Sequence, residues 1–354
     1  MIEIRRFEEI LSRFTQVKLA VLGDFFLDLY IHLDRSLSEL SMETQKEAFQ
    51  AIGLRGQPGA AGVVVNNLSA LGAQTSAIGY TGKDGNGYTL RSALTKSNIN
   101  TDFLIEWDGR FTPTYTKPMM KELNGQIIEL NRIDVINRSS NPQALNLALV
   151  ENLSKAILNY DGILVLEQVK IDGYGTLSPI LRDKLSELGR LSPDKVIIVD
   201  SRPFSNKYTD LSLKMNLFEA ICAAKSLDKT LDDIDKNDKL RASARCSQIF
   251  WETHQKPIFI TLGADGISGT SDGEFFHIPG YRNTGPIDIV GAGDAVLATV
   301  GLAQCVGADP KEAAFIGNLV GSLIVQQIGM TGTVTQDQLR QRYFEYQNQL
   351  ENRK

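Results

Sequence analysis

The stretch Asp288-Ile289-Val290-Gly291-Ala292-Gly293-Asp294 runs directly into an apolar segment, residues 295–306. Two glycines and an alanine let the backbone turn tightly and leave its N–H groups unobstructed. The apolar segment reads as a buried helix. A small-residue turn that opens a helix is a site for an anion, because orphan N–H groups and the positive helix end point the same way. Asp294 is the exception within it. A carboxylate where an anion would be welcomed suggests proton chemistry beside a phosphate. An aspartate that merely caps a helix gives the same local pattern, so the rest of the chain has to decide between the two.

Upstream of that turn, short apolar runs alternate with longer helical patterns. The runs are 19–23, 75–79, 162–166, 196–200 and 258–262, and they are near-continuously apolar rather than alternating, as in strands covered on both faces. Helical patterns fall at 62–71, 88–97, 142–159, 178–191 and 240–255, and 295–327 reads as two apolar helices joined around Ala308-Asp309-Pro310. This alternation predicts an α/β fold with a doubly wound, mostly parallel sheet flanked by helices. Segments 30–57 and 111–135 break the rhythm with short β-type runs, the second holding Asn124-Gly125, a strong hairpin signal. They read as an inserted β-flap, or lid, on a single domain spanning residues 1–354; a surface hairpin without a role is the bland alternative.

Composition narrows the function classes. Hydrophobic content of 42% and charged content of 22% over 354 residues are those of a globular protein. A net charge of −5 offers no electrostatic footprint for nucleic acid or an anionic membrane. The cysteines Cys222, Cys246 and Cys305 have no framework spacing, which fits a reducing cytoplasm. The N-terminus has no apolar signal region, and the longest apolar stretch carries Asp294, which argues against a membrane span.

The common phosphate motifs are missing. Gly82-Lys83-Asp84 lacks the upstream glycine and the Ser/Thr of a Walker A loop, and no G-x-G-x-x-G follows the first strand. Scattered His32, His254 and His277 make a zinc site unsupported. Small motifs at strand ends are present instead. Gly23-Asp24 closes the first strand with Asp28 four residues on, and ionised aspartates accept several hydrogen bonds from hydroxyls. Pro58-Gly59-Ala60-Ala61-Gly62 precedes a helix holding Asn66 and Asn67. Asn216 and Glu219 lie three apart, on one helix face, and would suit a hydrated Mg²⁺. Thr261-Leu262-Gly263-Ala264-Asp265-Gly266 ends the last clear strand and could wrap a nucleotide.

Gly-Asp at the first strand, a glycine-rich turn into a helix, Asn-x-x-Glu, Thr-Leu-Gly and then Gly-Ala-Gly-Asp, in that order, resemble the ribokinase (PfkB-type) family of carbohydrate kinases. The resemblance spans roughly residues 17–335. Three stretches look most like its heptose-7-phosphate kinase branch: GDFFLDLY at 23–30, VDSRPFSNKYTDLSLKMNLFEA at 199–220 and NLVGSLIVQQIGMTGTVT at 318–335.

The resemblance implies a ribokinase-like fold and ATP- and Mg²⁺-dependent phosphorylation of a hydroxyl on a sugar or sugar phosphate. Asp294 would be the base, and the N–H groups of Gly291, Ala292 and Gly293 the anion hole. Asn216 and Glu219 would position Mg²⁺ through its waters. Thr261, Gly263 and Gly266 would lie along ATP, with Asn318 on the adenine side. Asp24, Asp28, Gly59 and Asn67 would face the sugar. Asp288 matches a position that supports a monovalent cation in relatives, K⁺ being the candidate, and relatives often pair through their flaps, which makes a homodimer an option. Two departures stand out: Ala60 replaces the second glycine of the sugar-site turn, and Val63 replaces an asparagine. A lost hydroxyl partner there puts the usual heptose acceptor in question. A kinase for a nucleoside or other small polyol, and a catalytically silent sugar- or nucleotide-binding regulator, are the competing readings.

Overall fold

The apolar runs become the middle of a nine-stranded sheet. In order across it lie β16 (Glu274–Ile278), β15 (Ile267–Ser271), β14 (Ile258–Thr261), β13 (Ser212–Asn216), β12 (Val196–Ser201), β11 (Gly162–Glu167), β1 (Lys18–Gly23), β6 (Gln74–Gly82) and β7 (Leu104–Trp107). Neighbours from β7 to β14 run parallel; β15 and β16 are antiparallel additions at one edge. The computed structural model describes residues 2–228, 234–329 and 331–351, so Met330, inside one of the stretches that carry the resemblance, lies outside them.

The two-residue period of a strand explains why these runs are apolar throughout. Leu19 and Val21 of β1, Leu164 and Leu166 of β11 and Ile198 of β12 enter one core. Ala20 and Leu22, Ile163 and Val165, and Ile197 and Val199 enter the other. The first core packs under α1 (Ile4–Arg13), α2 (Ala61–Ala70), α3 (Gly85–Lys96), α8 (Ala292–Cys305), α9 (Pro310–Ile324) and α10 (Gln336–Glu351). The second packs under α4 (Gln143–Asn159), α5 (Pro179–Leu191), α6 (Leu217–Leu227) and α7 (Lys239–His254). Among the described residues no helix is long and apolar enough to cross a membrane.

The chain runs from β1 outward to β6 and β7 on one side, then returns to β11 and proceeds to β14 on the other. That reversal between β1 and β11 is where ligands enter open α/β sheets, at the carboxyl ends of the strands. The two strands are tightly apposed there. A Cβ at Gly23 would come 2.5 Å from the Leu166 carbonyl oxygen, which only glycine avoids.

A second sheet rises from this end. It has the order β10 (Ile133–Val135), β8 (Thr114–Lys121), β2 (Phe25–Asp34), β5 (Ala51–Ala60), and β9 (Ile127–Glu129) pairs with β8. The short strands β3 (Glu39–Leu40) and β4 (Glu47–Ala48) pair with each other in the excursion between β2 and β5. Asn124-Gly125 forms the turn between antiparallel β8 and β9, with Gly125 at φ +82°. The chain enters this sheet directly after Asp24 and leaves it at Ala60, the N-cap of α2; it re-enters from β7 at Thr114 and leaves again at Val135 towards α4.

Candidate active site

The segment 288–294 forms a turn held from both sides. Asp288 accepts the Val290 N–H at 3.0 Å and the Gly329 N–H at 3.1 Å, and its own N–H reaches the Val325 carbonyl at 2.8 Å. Gly291 then takes φ +77° as the residue that caps α8, a conformation side chains resist. The Ala292 N–H turns back to the Ile289 carbonyl at 3.3 Å and the Ala295 N–H closes on the Gly291 carbonyl at 3.0 Å. Among the described residues this leaves the N–H groups of Gly291, Gly293 and Asp294 without an acceptor. Of the three N–H groups that the resemblance implies for an anion, that of Ala292 is committed to the turn, whereas that of Asp294 is free to donate.

Asp294 sits in the first turn of α8, partly open to the cleft. Burial of its carboxyl, with the nearby charge of Asp200, pushes its pKa up to about 7, against the pull of Lys214 and Arg202. These neighbours follow from strand geometry. Val199 pairs with Leu213 across β12 and β13, so Asp200 and Lys214 come next, on the face that packs on α8. They form a buried ion pair.

Asn216 and Glu219 do not share a helix face, as their spacing suggested. Asn216 ends β13 and caps α6: its Oδ1 accepts the Glu219 N–H and Glu219 Oε2 accepts the Asn216 N–H, both at 2.9 Å. The cap fixes the Glu219 carboxylate at the strand end and leaves its Oε1 without a partner among the described residues. The same residues hold no group of three or more His, Cys, Asp or Glu able to cage a metal alone. A Mg²⁺ ion that keeps its waters and takes phosphate oxygens needs only one or two protein oxygens, and Glu219 Oε1 with the Asn216 amide oxygen fits that donor set.

The nucleotide-side motifs converge on the neighbouring strand end. Thr261 closes β14, Gly263 and Gly266 shape the turn into β15 with φ +66° and +99°, and the Asn318 amide donates to the carbonyls of Ile278 at 2.9 Å and Pro279 at 3.2 Å. Asn318 thus pins the end of β16 beside this turn.

The sugar-side residues divide. Asp28 is buried on β2 against Gly59, where an added Cβ would stand 3.1 Å from its carboxyl carbon, and it pairs with Lys117 Nζ at 3.4 Å. Burial pushes its carboxyl upward, while Lys117 and Arg132 hold it down. Asp24 points elsewhere. Its carboxylate accepts the N–H groups of Gln168 at 2.8 Å, Val169 at 2.9 Å and Thr176 at 2.6 Å, so it anchors the loop after β11 instead of facing the cleft. Asn67 is fully buried and donates to the carbonyls of Val63 at 2.9 Å and Gly332 at 3.4 Å, bracing the 331–335 segment from behind. Val63 packs toward the anion-hole turn: a Cβ at Gly291 would lie 3.4 Å from its Cγ1.

Motif order could not reveal the cationic residues. Lys117 lies 4.8 Å and Arg55 4.3 Å from the Tyr30 ring centre, and Arg132 stacks at 4.2 Å over Tyr115. All come from the second sheet and its connections, with Lys117 and Arg132 near Asp28. Lys214 and Asp200 escaped notice because partners 14 residues apart meet only through strand pairing.

Comparisons with known proteins agree with this architecture. A family model described as pfkB family carbohydrate kinase matches residues 55–337. The bifunctional protein HldE of Desulfatibacillum aliphaticivorans is 29% identical over 331 residues, covering 93% of this chain and 63% of that protein. The bifunctional protein HldE of Koribacter versatilis is 28% identical over 321 residues, covering 90% and 61%. The chain thus spans a little under two thirds of the length of these curated relatives. Among solved structures, Arabidopsis thaliana ribokinase complexed with ribose and ATP superimposes with a TM-score of 0.66 at 17% identity, covering 92% of this chain and 98% of that one. Phosphofructokinase-2 of Escherichia coli in complex with potassium gives 0.67 at 16% identity, covering 94% and 99%. With the ribokinase-like fold and a family match over most of its length, the chain belongs to the pfkB family of carbohydrate kinases.

Proposed function

We propose that the protein transfers the terminal phosphoryl group of ATP to a hydroxyl of a sugar phosphate, with Asp294 as the base. One observation carries the reading: a carboxylate with a pKa pushed up to about 7 stands in the same helical turn as three free N–H donors. A base there meets the acceptor hydroxyl while the donors meet the oxygens of the group in transit. Phosphoryl transfer depends chiefly on such positioning and on charge neutralisation. Mg²⁺ bound with the nucleotide would neutralise phosphate charge, and Asn216 and Glu219 would orient it. Thr261, Gly263, Gly266 and Asn318 would line the nucleotide. Asp288, which ties the turn to the 325–329 segment, is the place for an accessory K⁺.

A phosphorylated acceptor is favoured over a bare sugar, nucleoside or polyol by Lys117, Arg132 and Arg55, which surround Asp28 and Tyr30. Asp28 and Gly59 would hold hydroxyls beneath them. The test is ADP release with Mg²⁺ and ATP across matched pairs of sugars and sugar phosphates. The expected result is turnover with a phosphorylated sugar and a kcat/KM at least about tenfold lower with its unphosphorylated partner. Nucleotide binding without turnover on any acceptor would favour the silent regulator instead.

A further inference from the structure

Lys214 is the one buried lysine that faces the anion hole among the described residues, and nothing in the motif order assigns it a task. It sits on β13 two residues before the Asn216 cap, only 3% exposed, on the face that meets α8. Its ammonium group lies so close to the start of α8 that a Cβ at Gly293 would stand 3.2 Å from Nζ. An ammonium has three donors. Among the described residues Asp200 takes one, and the other two have no acceptor. Asp294 and Glu219 also lie within its electrostatic reach.

A buried ion pair is seldom a net gain in stability over an apolar pair of similar volume. An ammonium with unused donors is dearer still, since unsatisfied buried polar groups cost free energy. The location resolves the expense. Gly291, Gly293 and Asp294 present free N–H groups from one side, and Lys214 Nζ lies against the same backbone from the sheet side. We propose that Lys214 is a catalytic cation of the phosphoryl site: its ammonium group binds an equatorial oxygen of the phosphoryl group in transit, from the floor of the anion hole. The proposal rests on the phosphotransfer reading above.

In the step itself the acceptor oxygen forms a bond to phosphorus as the bond from phosphorus to the β,γ-bridging oxygen of ATP breaks. The electron pair of that bond leaves with ADP, and the acceptor proton goes to Asp294. Lys214 exchanges no proton and forms no bond. It holds positive charge where the equatorial oxygens pass, and Asp200 fixes its direction. Glycine at 293 leaves the ammonium its place, since a Cβ there would stand 3.2 Å from Nζ and press it away.

The competing role is structural, with Lys214 present only to neutralise Asp200. The double variant Asp200→Asn/Lys214→Met separates the two, because it removes both charges and keeps the volume. A structural pair would then be dispensable. If Lys214 acts on the phosphoryl group, the folded double variant loses about 10²-fold or more in kcat, as for removal of one oxyanion donor, while KM values for ATP and acceptor stay within about threefold. Binding gives a second readout. With Mg²⁺ and acceptor present, wild type binds ADP with aluminium fluoride, a mimic of the group in transit, more tightly than ADP alone, and the double variant loses that increment while keeping its affinity for ADP. A folded double variant with wild-type kcat, or with the full aluminium fluoride increment, overturns the proposal. If the double variant does not fold, Lys214→Gln, which removes the charge and keeps a donor amide, takes its place with the same expected losses, and wild-type kcat there overturns it equally. A wild-type protein that neither turns over any acceptor nor gains affinity from aluminium fluoride overturns the phosphotransfer reading itself, and the role of Lys214 with it.

Discussion

Asp294 combines two demands that conflict. A base must be ionised when the acceptor arrives, yet burial and Asp200 push its pKa up to about 7. Activity of the free enzyme should therefore fall about tenfold for each pH unit below about 7. Stability moves the opposite way. The folded pKa lies above the unfolded value, so the folded state binds more protons between the two, and the ionised group weighs against the fold as pH rises from about 4 through 7. At pH 8 the cost is fully present. Asp294→Asn should then be more stable than wild type by about 1–2 kcal/mol, in keeping with strain held at functional sites. Thermal unfolding of the two proteins at pH 8 and pH 4 checks this: the gap should close at pH 4, and a variant no more stable at pH 8 contradicts it. Ala60 carries a different strain. It holds φ +51° and ψ −118°, a region favourable to glycine, at the junction of β5 and α2. Ala60→Gly should stabilise the fold by about 1 kcal/mol in urea denaturation, after the entropy that glycine adds to the unfolded chain. A loss of stability would show that the conformation is not strained.

At the scale of elements, the second sheet is joined to the main body at Asp24–Phe25 and Ala60–Ala61 and through the segments before β8 and after β10, and it carries Asp28, Gly59 and Lys117, which the proposed function sets on the acceptor side. We expect it to act as a lid. Residues 111–135 should gain protection from hydrogen exchange when a saturating acceptor binds, and unchanged protection would remove the lid role. The runs that became β1, β6, β11, β12 and β14 were legible because both faces of each are buried, so both faces are apolar. β13 was not legible: Lys214 and Asn216 interrupt its apolar pattern, Lys214 as half of a buried ion pair and Asn216 as the cap of α6. β15, Ile-Ser-Gly-Thr-Ser, is too polar to read as buried, although Ser268 and Thr270 are buried within it. The cap formed by Asn216 and Glu219 shows the same limit, since one spacing fits a helix face and a capping box alike.

For the molecule as a whole, the proposed site would draw on segments remote in sequence. Asp200 and Lys214 come from adjacent parallel strands, Asp294 from the start of α8, Glu219 from α6, and Asp28 and Lys117 from the second sheet. Motif order singles out the turn before α8, because the turn, the helix and Asp294 are contiguous. It misdirected Asp24 and Asn67, because a polar residue at a strand end or in a first helical turn reads as open to ligand until its internal partners are known: three loop N–H groups for Asp24, and Val63 and Gly332 carbonyls for Asn67. The central claim is that Asp294 is the base of a phosphoryl transfer. Its most direct test is a comparison of Asp294→Asn with wild type in single-turnover transfer from ATP to the preferred acceptor. The account predicts a fall of about 10²–10⁴ in rate with ADP affinity retained. A rate near wild type in the folded variant would contradict it.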